Sequence, residues 1–313
     1  MTEQAPLVST AEAPVPANGT AEWFSGAGAV RLRAALFLPD GPPRGSVVLS
    51  GGRTEPIEKY HEVVGELQAR GFVVLVHDWR GQGLSHRMLD DRLKGHAKGF
   101  RDFVEDYRAL LAHFETRLPR PWFAIGHSMG GCLTLLALAH GVGPFKAALL
   151  SAPMLGLLTG KRPKWQVRLM ARWKALTEPE AYIQNNPGDP HGETFESNIV
   201  THDPRRYARN RAIFLAEPQL GLNAGTWGWL DFALSASAWL KRSPRVTAIG
   251  IPVLVLGAAQ EKLVDNADQQ RIAARIPKGR WIEIPGAYHE LFQETDDIRA
   301  RVWREVDQVL HAV

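Results

Sequence analysis

The stretch WFAIGHSMGGCLTLLALA, residues 122–139, decides the fold. Trp122 to Gly126 is a short apolar run with the character of a buried strand, and from Met129 to about His140 the residues follow a helical pattern. Between them, Gly126-His127-Ser128-Met129-Gly130 sets a serine on a strand-to-helix turn, with Gly131 following. So sharp a turn strains the serine backbone, and glycines flank it because a Cβ there would collide with the neighbouring strand and helix. The serine hydroxyl is lifted above the strand ends at a helix N-terminus. A small-residue turn without chemistry has the same pattern. The strand before it, the helix after it and a histidine far downstream favour Ser128 as a nucleophile.

Outward from this turn, strand and helix patterns alternate. Residues 30–38 partly alternate and suggest an edge strand, and 46–50 is a short apolar run ending in Gly51-Gly52. A helical pattern over 57–70 closes on Gly71, and 72–77 (FVVLVH) reads as a buried strand. A second helix is expected over about 100–118 and a further strand over 147–151. Such alternation implies an α/β fold with a mostly parallel central sheet and helices on both faces. Ligands of such sheets bind at the carboxyl ends of the strands. Residues 153–242 break the alternation; they lean to helix and hold Trp165, Trp173, Trp227, Trp229 and Trp239. The βα pattern resumes with IPVLVLG at 251–257, a helix near 266–275, a strand at 281–285 and a final helix after His289. The expected organisation is a disordered tail over 1–20, a first core segment over 21–152, a helical cap over 153–242 and a second core segment over 243–313.

Composition is that of a soluble globular chain: 313 residues, 45% apolar, 22% charged, net charge +4. The single cysteine, Cys132, excludes an internal disulfide and fits a reducing compartment. No basic tract interleaved with aromatics tracks a phosphate backbone, so nucleic acid is not an expected partner. There is no membrane-spanning apolar run and no secretory leader, and the expected location is the cytoplasm, including the inner face of a membrane.

A serine nucleophile needs a general base. His289, in PGAYHELFQE just after the last strand, follows the serine in chain order and can turn one ring nitrogen to Ser128 and the other to a carboxylate. His77 and His96 precede the serine, His127 lies in the turn itself and His202 lies in the cap; each is read as structural. Glu261 and Asp265 compete for the acid, since both follow the IPVLVLG strand. The oxyanion needs two preorganised N–H donors, expected from Met129 and from Gly52.

These motifs resemble those of the α/β-hydrolase fold, in its monoacylglycerol lipase and bacterial lysophospholipase branch. The resemblance is carried by SGGRTEPIEKY (50–60), HDWRGQGLS (77–85) and GHSMGG (126–131), and extended by EKLVDN (261–266) and GAYHEL (286–291). It covers nearly the whole chain from about residue 21. Gly52-Arg53 and Glu55 are similar to the lysophospholipase type, whereas lipase-type relatives begin this loop His-Gly where Ser50-Gly51 stands here. The resemblance implies a serine hydrolase of carboxylic esters of single-chain lipids, a lysophospholipid or monoacylglycerol, working without a cofactor. It implies Glu261 as the acid and Asp265 as a helix N-cap, with Asp265 as the alternative acid. Arg53, next to the expected oxyanion residue, is a candidate contact for a lysophospholipid phosphate, with a salt bridge to Glu55 or Glu58 as the alternative; Trp227 and Trp229 are further candidate substrate contacts, in a cap expected to line an acyl channel.

Other features take simpler readings. Asp78 and Arg80 in DWRGQGLS are expected to tie their turn to its neighbours, with glycines permitting the bend; no G-x-G-x-x-G opens a helix there. Gly26-Ala27-Gly28 reads as a hairpin turn. Cys132 reads as a small core residue, and no cluster has metal-ligand spacing. In KRPKWQVRLMARWK (161–174), Lys164, Arg168 and Arg172 form a basic stripe beside Trp165, Leu169 and Trp173. Such a helix suits peripheral contact with an anionic membrane, or packs its apolar side on its own domain. An aminopeptidase or amidase on the same residues is the alternative activity; it needs acidic residues for the substrate ammonium, with Glu178, Glu180, Glu193 and Glu196 as candidates. A catalytically silent binding protein is disfavoured by the intact serine, histidine and acid.

Overall fold

The computed structural model describes residues 3–184 and 194–311. An eight-stranded sheet runs through the molecule in the order β1-β2-β4-β3-β5-β6-β7-β8. Its strands are β1 (Gly19–Ser25), β2 (Arg31–Phe37), β3 (Gly45–Ser50), β4 (Phe72–His77), β5 (Trp122–His127), β6 (Phe145–Ser151), β7 (Val253–Ala258) and β8 (Gly279–Ile284). β1 and β2 form an antiparallel hairpin and β2 pairs antiparallel with β4; every other pairing is parallel. β3, β4, β5 and β7 are buried at every position, as strands covered on both faces are.

Helices α1 (His61–Ala69), α2 (Arg101–Phe114), α3 (Ser128–Ala139), α7 (Asn266–Ala273) and α8 (Asp296–His311) cover the sheet. Two apolar clusters result. One holds α2 and α3 residues such as Tyr107, Leu110 and Leu136, the other α1 and α8 residues such as Val63, Leu67 and Val306. Between β6 and β7 lie α4 (Lys164–Thr177), α5 (Pro204–Ala216) and α6 (Trp227–Arg242), in the segment expected as a cap. The first core helix is shorter than expected, because residues 57–60 form a 3-10 turn before α1.

The N-terminal segment departs from the disordered tail expected to residue 20. β1 begins at Gly19, and the chain before it packs against the core. Ala5 N–H donates to Ala21 O at 2.9 Å and Trp23 N–H to Glu3 O at 2.9 Å. Arg33 donates to Pro6 O at 3.1 Å, and Ala13 is buried. The exposed edge of β1 offers unpaired backbone groups, and the tail takes them. Neither composition nor periodicity reveals that kind of pairing.

The DWRGQGLS turn ties its neighbours together. The buried Asp78 carboxylate accepts from Arg33 Nε at 2.7 Å, Ile57 N–H at 3.0 Å and Leu84 N–H at 2.9 Å. Arg80 pairs with Asp106 and Asp102. Gly83 has φ +52°, and a Cβ there would lie 2.1 Å from Asp78 Oδ2. Among the described residues no helix is long and apolar enough to cross a membrane.

Candidate active site

Ser128 is the junction of β5 and α3 and has φ +50°, a left-handed conformation strained for a residue with a Cβ. The crowding that requires glycines here is explicit. A Cβ on Gly126 would lie 2.8 Å from Gly131 Cα, and one on Gly130 would lie 2.3 Å from both Ser50 O and Gly51 O. Gly130 therefore lets the serine turn lie directly against the loop after β3.

His289 reaches the serine from the loop after β8. Its Nε2 is 2.9 Å from Ser128 Oγ, and its Nδ1 is 2.7 Å from Glu261 Oε2. The Ser128 hydroxyl donates to Nε2 and Nδ1–H donates to Glu261, the protonation pattern this network requires. The other oxygen of Glu261 accepts from Lys262 N–H at 2.9 Å, Leu263 N–H at 2.8 Å and Val264 N–H at 3.3 Å. Burial opposes ionisation of Glu261, but the bond and charge of His289 and these amides outweigh it, and its pKa falls below the usual glutamate value. Asp265 lies elsewhere. It N-caps α7, accepting from Ala267 N–H at 2.8 Å, and its other oxygen pairs with Lys164.

Met129 is buried in the first turn of α3, where its N–H has no intrahelical acceptor. Gly52 lies against the serine: a Cβ on it would be 3.1 Å from Ser128 Cβ. Its N–H donates to the Glu55 carboxylate, so this expected oxyanion donor is already engaged. Arg53, the next residue, extends away toward the helical segment. Its Nη1 donates to Asn223 O at 2.6 Å, and its guanidinium carbon is 5.3 Å from the centre of the Trp229 ring. Trp229 and Trp227 are half-buried at the start of α6, and Trp229 packs on the core.

The sequence profile of the family described as Serine aminopeptidase, S33, matches residues 41–296. The chain belongs to this family. Two curated relatives are similar over most of their length. Lysophospholipase L2 of Escherichia coli (strain K12) is 32% identical, with 88% of this chain and 83% of that protein covered. The monoacylglycerol lipase of Mycolicibacterium smegmatis is 29% identical, with coverages of 87% and 91%. Among solved structures, a soluble variant of Saccharomyces cerevisiae monoglyceride lipase in complex with a substrate analog superposes with a TM-score of 0.75. That likeness, at 20% identity over 98% of this chain and 99% of that one, shows the shared fold.

In this S33 chain the residues around the serine and histidine form a network that the motifs alone do not disclose. Glu55 is buried and holds Gly52 N–H, the Tyr60 hydroxyl and Lys59 Nζ, the last at 2.7 Å. Burial raises its pKa, but the Lys59 charge and its hydrogen bonds outweigh this and keep it below the usual glutamate value. Lys59 also pairs at 2.6 Å with Glu290, the residue after His289. One lysine thus joins the loop after β3 to the loop of the base. From the other side, Trp79 Nε1 donates to Gly51 O at 3.0 Å and Gln82 Nε2 to Gly52 O at 2.8 Å. The DWRGQGLS motif therefore braces the loop beside the serine. The polar residues within that motif were the available signal for this brace; nothing local signals the Lys59–Glu290 pair, which spans most of the chain.

The remaining histidines are held by other partners. His127 lies with its ring 4.9 Å from that of His289, donates from Nδ1 to Ser151 O at 3.1 Å, and is pushed by burial down to about 4, so it is uncharged at neutral pH. His77 binds Ser50 Oγ at 2.9 Å and His96 binds Thr226 Oγ1 at 2.9 Å. His202 donates to Glu294 at 2.8 Å and stacks on Tyr288 at 3.8 Å. Cys132 is buried in α3, and burial pushes its thiol up to about 12.

Of the acidic residues weighed for an ammonium, Glu178, Glu180 and Glu196 are exposed and Glu178 pairs with Lys174; Glu193 lies outside the described residues. Helix α4 departs from the reading that packs its apolar side on its own domain. Its basic stripe is partly consumed, with Lys164 on Asp265 and Asp268 and Arg172 on Asp231. Its apolar row faces outward instead of packing on its own domain: Trp165, Leu169, Trp173 and Leu176 are 63%, 64%, 59% and 71% exposed.

Proposed function

We propose that this protein hydrolyses carboxylic esters of single-chain lipids, lysophospholipids or monoacylglycerols, through an acyl-enzyme. The observation that carries the reading is the unbroken hydrogen-bond chain Ser128–His289–Glu261. It stands in a chain whose similar relatives are named lysophospholipase and monoacylglycerol lipase.

Ser128 Oγ attacks the ester carbonyl as His289 Nε2 takes its proton. Glu261 holds the imidazole in the tautomer that leaves Nε2 free to accept, and stabilises the imidazolium. The carbonyl oxygen becomes an oxyanion held by Met129 N–H and by Gly52 N–H, which exchanges Glu55 for the developing charge. Collapse expels the glycerol-side alcohol, which receives the proton from His289. Water, deprotonated by the same imidazole, then cleaves the acyl-serine and releases the fatty acid. Each step is proton transfer and electrostatics, so the proposal requires no cofactor.

The outward row on α4 supports a second element of the reading. Trp165, Leu169, Trp173 and Leu176, beside the exposed cations Lys161, Arg162 and Arg168, suit insertion into an anionic lipid surface. The enzyme would then meet its substrate where single-chain lipids partition.

A fluorophosphonate probe tests the core of the proposal. It should label Ser128, and Ser128→Ala should lower kcat on p-nitrophenyl esters and on lysophospholipids by about 10⁴-fold or more. Label recovered on another serine, or a Ser128→Ala enzyme of near wild-type rate, refutes it.

A further inference from the structure

The charge of Arg53 has no counter-charge beside it, whereas four other deeply placed arginines are paired with carboxylates. Arg33 lies between Glu58 and Asp78, Arg80 on Asp106, Arg206 on Glu62 and Asp203, and Arg299 on Glu62 and Glu66. Arg87 likewise has no carboxylate: the carbonyls of Gly81, Gly83, Gln219 and Gly221 take its terminal nitrogens, and its buried Nε has no partner among the described residues. Arg53 has a single hydrogen bond, to Asn223 O, and among the described residues no carboxylate partner. Desolvation alone lowers its pKa to about 10, so it remains a cation at neutral pH. An unpaired buried charge is costly, and the cost falls when an anion arrives.

Its position says what that anion belongs to. Arg53 follows Gly52, which touches the serine turn, and its side chain leads from there to the Asn223 segment and the face of Trp229. A Cβ on Gly95 would lie 3.0 Å from Arg53 Nη1, and one on Gly225 would lie 3.0 Å from the Trp229 ring, so the two glycines let the guanidinium and the indole lie close to the backbone here. The buried indole N–H of Trp229 also has no acceptor. Two donor-bearing side chains short of acceptors thus lie together, one on the residue after Gly52 and one at the start of α6. In a lysophospholipid, the glycerol that bears the scissile ester also bears a phosphodiester anion. A monoacylglycerol has only a neutral hydroxyl there.

We infer that Arg53, backed by Trp229, is the receptor for the phosphodiester of a lysophospholipid and sets a preference for it over a neutral monoacylglycerol. The planar guanidinium suits two phosphate oxygens, and its face suits the indole beneath it. The inference rests on the proposed lipid-ester activity, so its test reads binding as well as turnover.

In the Ser128→Ala background, which binds without turning over, affinities for lysophosphatidylcholine and for a monoacylglycerol of the same acyl chain are measured below their micellar concentrations. Arg53→Met should reduce the ratio of the two affinities by about 10- to 100-fold, the worth of a charge-assisted bond, and Arg53→Lys should recover part of it. In the Ser128-containing enzyme the kcat/KM ratio on the two lipids should move by the same factor. Equal losses on both lipids would make Arg53 a tether between the loop and Asn223 and overturn the inference. So would Arg53-dependent binding of inorganic phosphate that leaves lysophosphatidylcholine affinity unaffected. Hydrolysis of p-nitrophenyl esters by the wild type without hydrolysis of either lipid refutes the lipid-esterase reading instead, and the binding ratio still decides the role of Arg53.

Discussion

Replacing Glu261 by Gln keeps size and shape but reverses one proton, and the structure says which. Oε1 of Glu261 accepts from the amides of Lys262, Leu263 and Val264. In the glutamine variant the carbonyl oxygen must take that place, because an NH₂ group facing backbone donors is repelled. The NH₂ then faces His289 Nδ1, 2.7 Å away from the present oxygen. Nδ1 becomes an acceptor, the ring proton moves to Nε2, and Nε2 can no longer take the proton of Ser128 Oγ. The imidazolium formed in the transition state also loses its buried counter-charge. A wrong tautomer of this kind costs ~10⁴-fold in kcat in the best-characterised serine protease, about 5.5 kcal/mol. Asp265→Asn is the paired control. Asparagine also caps helices, and the Lys164 pair it weakens is partly exposed, so the loss should be about 1 kcal/mol of stability or less, with kcat nearly unchanged. The assay is steady-state hydrolysis of a soluble p-nitrophenyl ester, with thermal unfolding to show that both variants are folded. A folded Glu261→Gln enzyme above one-tenth of wild-type kcat, or an Asp265→Asn enzyme that is inactive, refutes the reasoning.

The combined Trp165→Ser, Leu169→Ser and Trp173→Ser variant should partition roughly 100-fold or more weakly onto phosphatidylcholine–phosphatidylglycerol vesicles, since each buried side chain contributes about 1.5–3 kcal/mol; its rate on a soluble ester should persist, and unchanged vesicle sedimentation would exclude the lipid-contact role. Gly130→Ala should lower stability by roughly 3 kcal/mol or more, because its methyl meets the backbone oxygens of Ser50 and Gly51 at 2.3 Å and backbone cannot swing aside; a chemical-denaturation midpoint equal to wild type would contradict this. Burial raises the pKa of Glu62, but its bonds to Arg206 and Arg209 outweigh this and bring it down to about 2. A depressed carboxylate stabilises the fold above its unfolded pKa, and that contribution disappears as pH falls from the ordinary glutamate range through about 2. Glu62→Gln should therefore be less stable than wild type at neutral pH, with the gap closing across that window, and a gap constant with pH would disprove the linkage.

The βα alternation, the serine turn and the interruption after β6 were legible because period and flanking glycines are local properties. The sequence resemblance also aligned Glu261 and His289 with the serine. What escaped the sequence was long-range and polar. The tail that pairs with β1 has no apolar rhythm to announce it. Glu55 looks like one more loop acid until the fold brings Gly52, Tyr60 and Lys59 around it. The direction of the α4 row was open because an amphipathic pattern fixes which residues share a side and leaves undetermined what that side meets. The carboxylates on Lys164, namely Asp265 and Asp268, lie a hundred residues away in sequence and turn the helix outward.

The separation of Ser128 and His289, 161 residues, has a consequence for biosynthesis. The proposed nucleophile, its turn and the loop beside it are all synthesised before the helical segment begins, while the proposed acid and base come from the chain after it. On the proposed roles, a nascent chain that has not passed residue 289 has the serine without its base. It also carries an apolar strand, β6, whose outer edge stays open until Val253 to Leu256 pair with it. Through that interval the β6 edge lacks its partner strand, the kind of open edge that invites wrong pairing. Strands β7 and β8 complete the sheet and carry the loops of Glu261 and His289, so on the proposed roles activity requires that this end of the sheet be in place.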